Sequence, residues 1–301
     1  MNWKYKYNFT NQNGKVCTTI NGIARFVQDE GYTGNFGIQW NQFKSTQLDS
    51  KNGTTLTHDR FFSGTQWNPK DLDGKTVLEA GCGAGRFTEV LLEAGARVVA
   101  FDYSNAVEAC YKNNGHQDNL ILFQGDIYNI PLHKESFDFI FCYGVLQHTP
   151  DPKKAFENLI RYLKPGGQIA IDCYLKDGKI YPWKSKYIWR PLTTRLPPKS
   201  LFKFLKFFIP LWLPIDTVIK YIPILGRYLG SIIPCWNYTH IKKFSYKQRL
   251  EWAVMDTFDA LAPAYDLPQT LEDIRGWLQE ARLKVDFVRL GGNGIEARGT
   301  R

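Results

Sequence analysis

The chain has 301 residues, 44% hydrophobic and 22% charged, a balance that builds a sizeable globular core and excludes an intrinsically disordered protein. Its six cysteines, Cys17, Cys82, Cys110, Cys142, Cys173 and Cys235, stand far apart with no C-x-x-C pair, which argues against a zinc site, an iron–sulfur cluster or a disulfide framework. The net charge of +9 is concentrated: residues 176–250 hold fifteen Lys and Arg against Asp177 and Asp216, a local balance of +13 that leaves −4 for the remainder.

The first residues, MNWKYKYNFTNQNG, lack the apolar core of a signal peptide, and no apolar run reaches the roughly 20 residues of a membrane-spanning helix. A cytoplasmic location is expected. GKVCTTINGIARFV reads as a small hairpin, because V-C-T-T-I alternates and Asn21-Gly22 is a strong turn signal. In NFGIQWNQFKSTQLDS, Phe36, Trp40 and Phe43 fall near helical spacing and read as core, with Gln39 and Trp40 as candidates to line an acceptor site. Arg60 follows, placed either to form a salt bridge or to reach a ligand carboxylate.

Residues 77–88, VLEAGCGAGRFT, are the organising stretch. Val77 and Leu78 end an apolar run, Gly81, Gly83 and Gly85 follow, and Phe87, Val90, Leu91 and Ala94 recur at helical spacing, giving strand, glycine turn and helix. Asp102 closes the next strand, ARVVAFD, about 20 residues beyond the first glycine, where an acid can hold a ribose. A dinucleotide fingerprint would read G-x-G-x-x-G; the spacing here is G-x-G-x-G behind Glu79, which disfavours NAD and FAD. TVLEA, ARVVAFD, NLILFQGD, FDFIFCYG and GQIAIDCY read as five parallel strands with helices at 84–94, 104–113 and 152–163, the last ended by Pro165-Gly166. Thr270 and Asp273 form a capping box for a further helix, and KVDFVRL with GIEARGT closes the chain as an antiparallel hairpin.

E-x-G-x-G-x-G resembles motif I of the class I S-adenosylmethionine-dependent methyltransferases. The resemblance continues through Asp102, Asp126 in FQGDI, the strand FDFIFCYG and the turn LKPGG, so it covers roughly residues 60–175. It implies an α/β fold, a doubly wound, seven-stranded, mostly parallel Rossmann-like sheet with a helical lid insertion, and S-adenosyl-L-methionine as cofactor. Carried over residue by residue, it implies that Glu79, Gly81, Cys82, Gly83 and Gly85 wrap the methionine portion and that Asp102 accepts the ribose hydroxyls. Tyr103 would stack on adenine, and Asp126 and the Ile127 N–H would meet the adenine edge; the lesser alternative for Asp126 is a turn residue or helix N-cap. In CYGVLQHTPDP, Tyr143 would form the pocket wall and His148 would serve either as general base or to orient the following loop by hydrogen bonding. The Asn-Pro-Pro-Tyr type of quartet is absent, which lowers a nucleobase acceptor. The first residues also resemble the end of a zinc-ribbon module found in some bacterial methyltransferases, but with Cys17 alone no metal is expected.

Residues 176–265 form a basic, aromatic insertion in which Pro210, Pro214 and Pro223 are expected to break KSLFKFLKFFIPLWLPIDTVIKYIPILGRYLG into short helical pieces. Three roles stay open: a helical lid, an amphipathic surface on anionic membrane or around a lipid-like substrate, and nucleic-acid contact, which no recognised module supports. EWAVMDTFDALAPAYDLPQT resembles a signature of methyltransferases from bacterial biosynthetic clusters, which implies a small-molecule or lipid-linked acceptor and makes Asp256, Tyr265 and Asp266 acceptor-side candidates. The expected organisation is an N-terminal cap (1–60), a cofactor-binding core (61–175), a lid (176–265) and a C-terminal helix and hairpin completing the core (266–301). The expected activity is methylation of oxygen, ahead of nitrogen or carbon, on a small or lipid-linked metabolite; the alternative is a cofactor-binding protein without catalysis that acts on a membrane or partner through its basic surface.

Overall fold

A computed structural model describes residues 18–178, 185–222, 226 and 232–301. Among these, nine strands join in one sheet: β1 (Thr18–Ile20), β2 (Ile23–Arg25), β3 (Thr76–Ala80), β4 (Arg97–Asp102), β5 (Leu120–Gln124), β6 (Phe137–Cys142), β7 (Leu163–Cys173), β8 (Lys284–Gly291) and β9 (Gly294–Thr300). Their spatial order is β1-β2-β5-β4-β3-β6-β7-β9-β8. The seven expected strands are all present, five parallel and two in the closing hairpin. The sheet is extended by the N-terminal hairpin, whose turn at Asn21 and Gly22 has positive φ at both residues and whose β2 runs parallel to β5. Cys17, on which the zinc-ribbon comparison turned, lies outside the described residues.

Eleven helices accompany the sheet in the described residues. The first four, α1 (Gly34–Gln42), α2 (Asp49–Asn52), α3 (Leu56–Thr65) and α4 (Pro69–Leu72), precede β3; α5 (Arg86–Glu93), α6 (Val107–Asn114) and α7 (Pro152–Ile160) alternate with the parallel strands. Then come α8 (Ser185–Thr193), α9 (Pro198–Lys220), α10 (Tyr246–Leu261) and α11 (Leu271–Glu280), the last opened by the Thr270–Asp273 capping box.

Strand alternation divides the core into two layers. Val77, Val98 and Ala100 face α5 and α6 through Phe87, Leu91, Val107 and Cys110. Leu78, Val99 and Phe101 face the opposite layer, where Phe156 and Leu159 of α7 meet Ile274 and Leu278 of α11. Each such fully buried large side chain contributes about 1.5–3 kcal/mol. The helix at 152 stops at Ile160, ahead of Pro165-Gly166, because Leu163 already pairs with Phe137 as the start of β7.

The insertion departs from expectation in one respect. Pro210 and Pro214 do not break the helix; α9 runs for 23 residues through both. The buried stripe Leu201, Leu205, Ile209 and Leu213 continues across the prolines and packs on Phe258 and Leu261 of α10, while Lys206, whose carbonyl loses its usual donor at Pro210, is on the water side. Pro223 is outside the described residues. Ile38 and Phe43, in and just after α1, join the same cluster, so the N-terminal helix and the insertion share one core.

Candidate active site

Strand order reverses between β3 and β6, and over the carboxyl ends of these strands lies a cavity of ≈ 690 Å³. That volume is within the usual range of about 300–1,000 Å³ for small-molecule sites. The glycine turn after β3 forms its floor. Gly81, Gly83 and Gly85 all have φ in the left-handed region, +76°, +53° and +84°. A Cβ on Gly83 would lie 3.2 Å from Trp40 Nε1, so bare backbone faces the cavity beneath the indole. A Cβ on Gly85 would come within 2.4 Å of Asn114 Nδ2 and 2.7 Å of Cys110 Sγ; that glycine lets α5 close on α6. Gly81, Cys82 and Gly83 line the cavity, and Gly85 supports it from behind.

Asp102, at the end of β4, is held by three donors. Its Oδ2 accepts the Gly83 N–H at 3.0 Å, and its Oδ1 accepts the Ser104 N–H at 2.8 Å and hydroxyl at 2.7 Å. A carboxylate has about four lone-pair positions, so one remains on Oδ2 for a ligand hydroxyl; a second ligand hydroxyl requires the Ser104 hydroxyl to turn away. Burial raises the Asp102 pKa. Tyr103 beside it packs at 5.3 Å and 31° against Tyr32, an aromatic that the sequence pattern did not single out. Burial, then Asp126, raises the Tyr32 pKa. Gly125 and Ile127 line the cavity, but Asp126 between them accepts the Tyr128 N–H at 2.9 Å, the geometry of a turn residue.

Several candidates stand one layer back. Glu79 is buried behind the turn, where it accepts the Thr88 hydroxyl at 2.6 Å and ties α5 to β3; burial pushes its pKa up to about 8. It therefore braces the glycine turn instead of facing the cavity. Gln39 donates to Asp259 at 3.2 Å. Asp266 is buried and receives Lys186 at 2.9 Å and the Tyr187 hydroxyl at 3.0 Å, which fastens α8 to the core. Tyr265 sets its ring edge on Tyr32, and its carbonyl accepts from His148 Nδ1 at 2.9 Å. Because a carbonyl only accepts, that bond places a hydrogen on Nδ1, so that in the neutral imidazole the acceptor is Nε2; His148 itself lines the cavity.

The roof is built mainly by side chains from the helical insertion. Asp256 and Asp259 stand one turn apart on α10 and both line the cavity. Asp256 accepts the Tyr238 hydroxyl, and burial, followed by Asp259, pushes its pKa up to about 8. Asp259 also accepts the Tyr174 hydroxyl at 3.2 Å. Trp40, Trp236 and Trp252 line the same region, and the Trp252 indole N–H is buried without a hydrogen-bond partner among the described residues. Tyr143 stacks on Phe141 at 4.5 Å with its hydroxyl likewise unpartnered; burial, then Asp172, raises its pKa.

Two arginines complete the wall. Arg60 pairs with Asp172 at 2.8 Å, the salt bridge of its two expected roles. Arg86, the first residue of α5, lays its guanidinium over the Phe87 ring at 4.3 Å, and burial, then Arg60, pulls its pKa down to about 9. It lines the cavity with no carboxylate in salt-bridge contact among the described residues. Neither Arg86 nor Asp259 was singled out from the sequence. The available signals were position: Arg86 adjoins the third glycine, and Asp259 follows Asp256 by one helical turn.

Residues 78–171 match the family model described as "Methyltransferase domain". Together with the parallel sheet, the glycine turn and Asp102, the match defines the class: the chain carries the domain and fold of the class I S-adenosylmethionine-dependent methyltransferases, with S-adenosyl-L-methionine as the cofactor of that class. The chain is 32% identical over 144 residues to a ubiquinone biosynthesis O-methyltransferase of Coxiella burnetii, across 46% of this chain and 59% of that protein. It is 30% identical over 142 residues to the protein of the same name from Pseudomonas paraeruginosa, across 46% and 60%. It thus spans about three fifths of the length of the curated relatives it matches. In fold it is similar to a chain of the complex between the Haloferax volcanii Trm112 methyltransferase activator and a methyltransferase, with TM-score 0.51, 14% identity, and coverage of 91% of this chain and 98% of that one.

Proposed function

We propose that this protein transfers a methyl group from S-adenosylmethionine to an oxygen of a small-molecule or lipid-linked acceptor. The observation that carries this is a single cavity with two unlike halves: a floor of glycine backbone and Asp102, and a roof of Asp256, Asp259 and tryptophans. The floor suits an adenosyl group, with Asp102 Oδ2 free for a ribose hydroxyl, the Gly81–Gly83 backbone bare beneath Trp40, and the Tyr32–Tyr103 pair beside it. Arg86 suits a carboxylate, since its charge has no salt-bridge partner in the wall. The bound cofactor supplies an activated methyl group on a sulfonium.

The protein's own task is alignment and proton handling. Holding two reactants in line contributes on the order of 7–11 kcal/mol, which is why no nucleophilic triad is needed. The polar roof orients the acceptor through the Asp256 and Asp259 carboxyl groups, and α8, fastened by Asp266, closes the cavity against water. His148 Nε2, left as an acceptor by the Tyr265 bond, takes the proton of the acceptor hydroxyl. The relatives named for O-methylation support oxygen as the receiving atom.

The test is transfer of labelled methyl from S-adenosylmethionine into aqueous and organic-soluble extracts, beside calorimetric titration with S-adenosylhomocysteine. Labelled product made by the wild type and not by Asp102→Ala supports the proposal. Cofactor binding with no product in either extract would favour the non-catalytic alternative.

A further inference from the structure

We infer that the outward face of α8 and α9 is a docking surface for an anionic phospholipid bilayer. The inference rests on the proposed lipid-linked acceptor only for its purpose; its observations are separate. While α9 buries one stripe against α10, it exposes a second. Phe204, Phe207, Leu211, Ile215 and Val218, with Ile222 just beyond the helix end, recur at intervals of three and four and are exposed, Phe207 at 71% and Val218 at 66%. In α8, Ile188 and Leu192 are exposed in the same way. Among the described residues, most of the exposed large apolar side chains fall between residues 188 and 222, on these two helices and at their ends.

Charge selects the occupant. Lys199, Lys203 and Lys206 are all exposed and, at spacings of four and three, form a row on the flank of the apolar stripe. The one acid of α9, Asp216, is buried and bound by Lys220 at 2.7 Å and Asn237 at 2.8 Å, so it does not offset that row. A helix with an aromatic and aliphatic face edged by lysines lies in the plane of an anionic interface. A protein partner fits less well, because lysines are depleted from interface cores. Spanning is excluded for this element: no described helix is long and apolar enough to cross a membrane. The position is also apt, since successive residues of α8 divide between the two surfaces, Lys186 and Tyr187 lining the cavity and Ile188 facing out. An acceptor carried by the bilayer would reach the cavity past a single helix.

The test is co-sedimentation of the full chain with vesicles of about one part phosphatidylglycerol to two parts phosphatidylcholine, against phosphatidylcholine alone, at low and high salt. Anionic vesicles are expected to bind at least about tenfold more strongly, with high salt removing most of the difference. The variants F207E/L211E and K203E/K206E are each expected to lose about tenfold or more, with S-adenosylhomocysteine affinity and melting temperature unchanged as the control for folding. Absence of vesicle binding at low salt overturns the inference. If F207E/L211E then turns a dimer into a monomer by light scattering, the face is an interface with a second copy. Vesicle binding retained by both variants also overturns it, by assigning the contact to another surface. Loss of vesicle binding with the cofactor site intact leaves the methyl-transfer proposal standing, and vesicle binding without any cofactor affinity would refute that proposal alone.

Discussion

The floor and the roof of the cavity are built on opposite principles. The floor is backbone: three glycines in the left-handed region, strand ends, and one carboxylate locked by Gly83 and Ser104. The roof is side chain: two aspartates one turn apart on α10 and tryptophans from three separate segments. Backbone recognition is rigid and suits a ligand that never changes. Side-chain recognition can be altered residue by residue, and suits whichever acceptor the protein has come to use.

If that division holds, the two halves respond differently to mutation. The largest effect is expected from Asp102→Ala, which removes a charged acceptor and frees the Gly83 N–H; S-adenosylhomocysteine affinity should fall by about 100-fold in calorimetry, equivalent to losing charge-assisted bonds of about 1.5–3 kcal/mol. Unchanged affinity would show that the floor does not hold the ribose. His148→Gln should lower the methyl-transfer rate by about 100-fold with cofactor affinity intact, as for loss of a general base; equal losses in rate and cofactor affinity would reassign His148 to holding the loop. Asp256→Asn should leave S-adenosylhomocysteine binding within about twofold and reduce labelled product by roughly tenfold. Were cofactor binding lost as well, the floor and roof could not be treated as separate.

A separate effect, on stability and not on turnover, concerns pH. Glu79 and Asp256 both have pKa values raised by burial to about 8, from 4.5 and 3.8. Between these limits the folded state keeps a proton that the unfolded state has released. The unfolded state binds fewer protons, so stability falls as pH rises from about 4.5 towards 8, by at most about 1.4 kcal/mol per pH unit per group. Glu79→Gln, which keeps an acceptor for the Thr88 hydroxyl, should flatten the decline in melting temperature across this window; an unchanged slope would show that Glu79 is ionised in the folded protein.

The sequence by itself determined the sheet, the glycine turn, Asp102 and the closing hairpin. Those features depend on local rules: alternation decides which strand residues are buried, glycine alone takes the turn cheaply, and an acid at a strand end is fixed by counting. Glu79 shows where local rules stop. Its place in the motif pointed to the ligand, and only packing showed that it turns inward to Thr88. The continuous α9 is similar, since proline predicts a break unless a neighbouring helix supplies burial on both sides of it, as α10 does. Tyr32, Arg86 and the α10 pair Trp252 and Asp259 reach one cavity from three distant stretches of chain, and the meeting of such side chains is set by how whole elements pack, which tertiary structure alone decides.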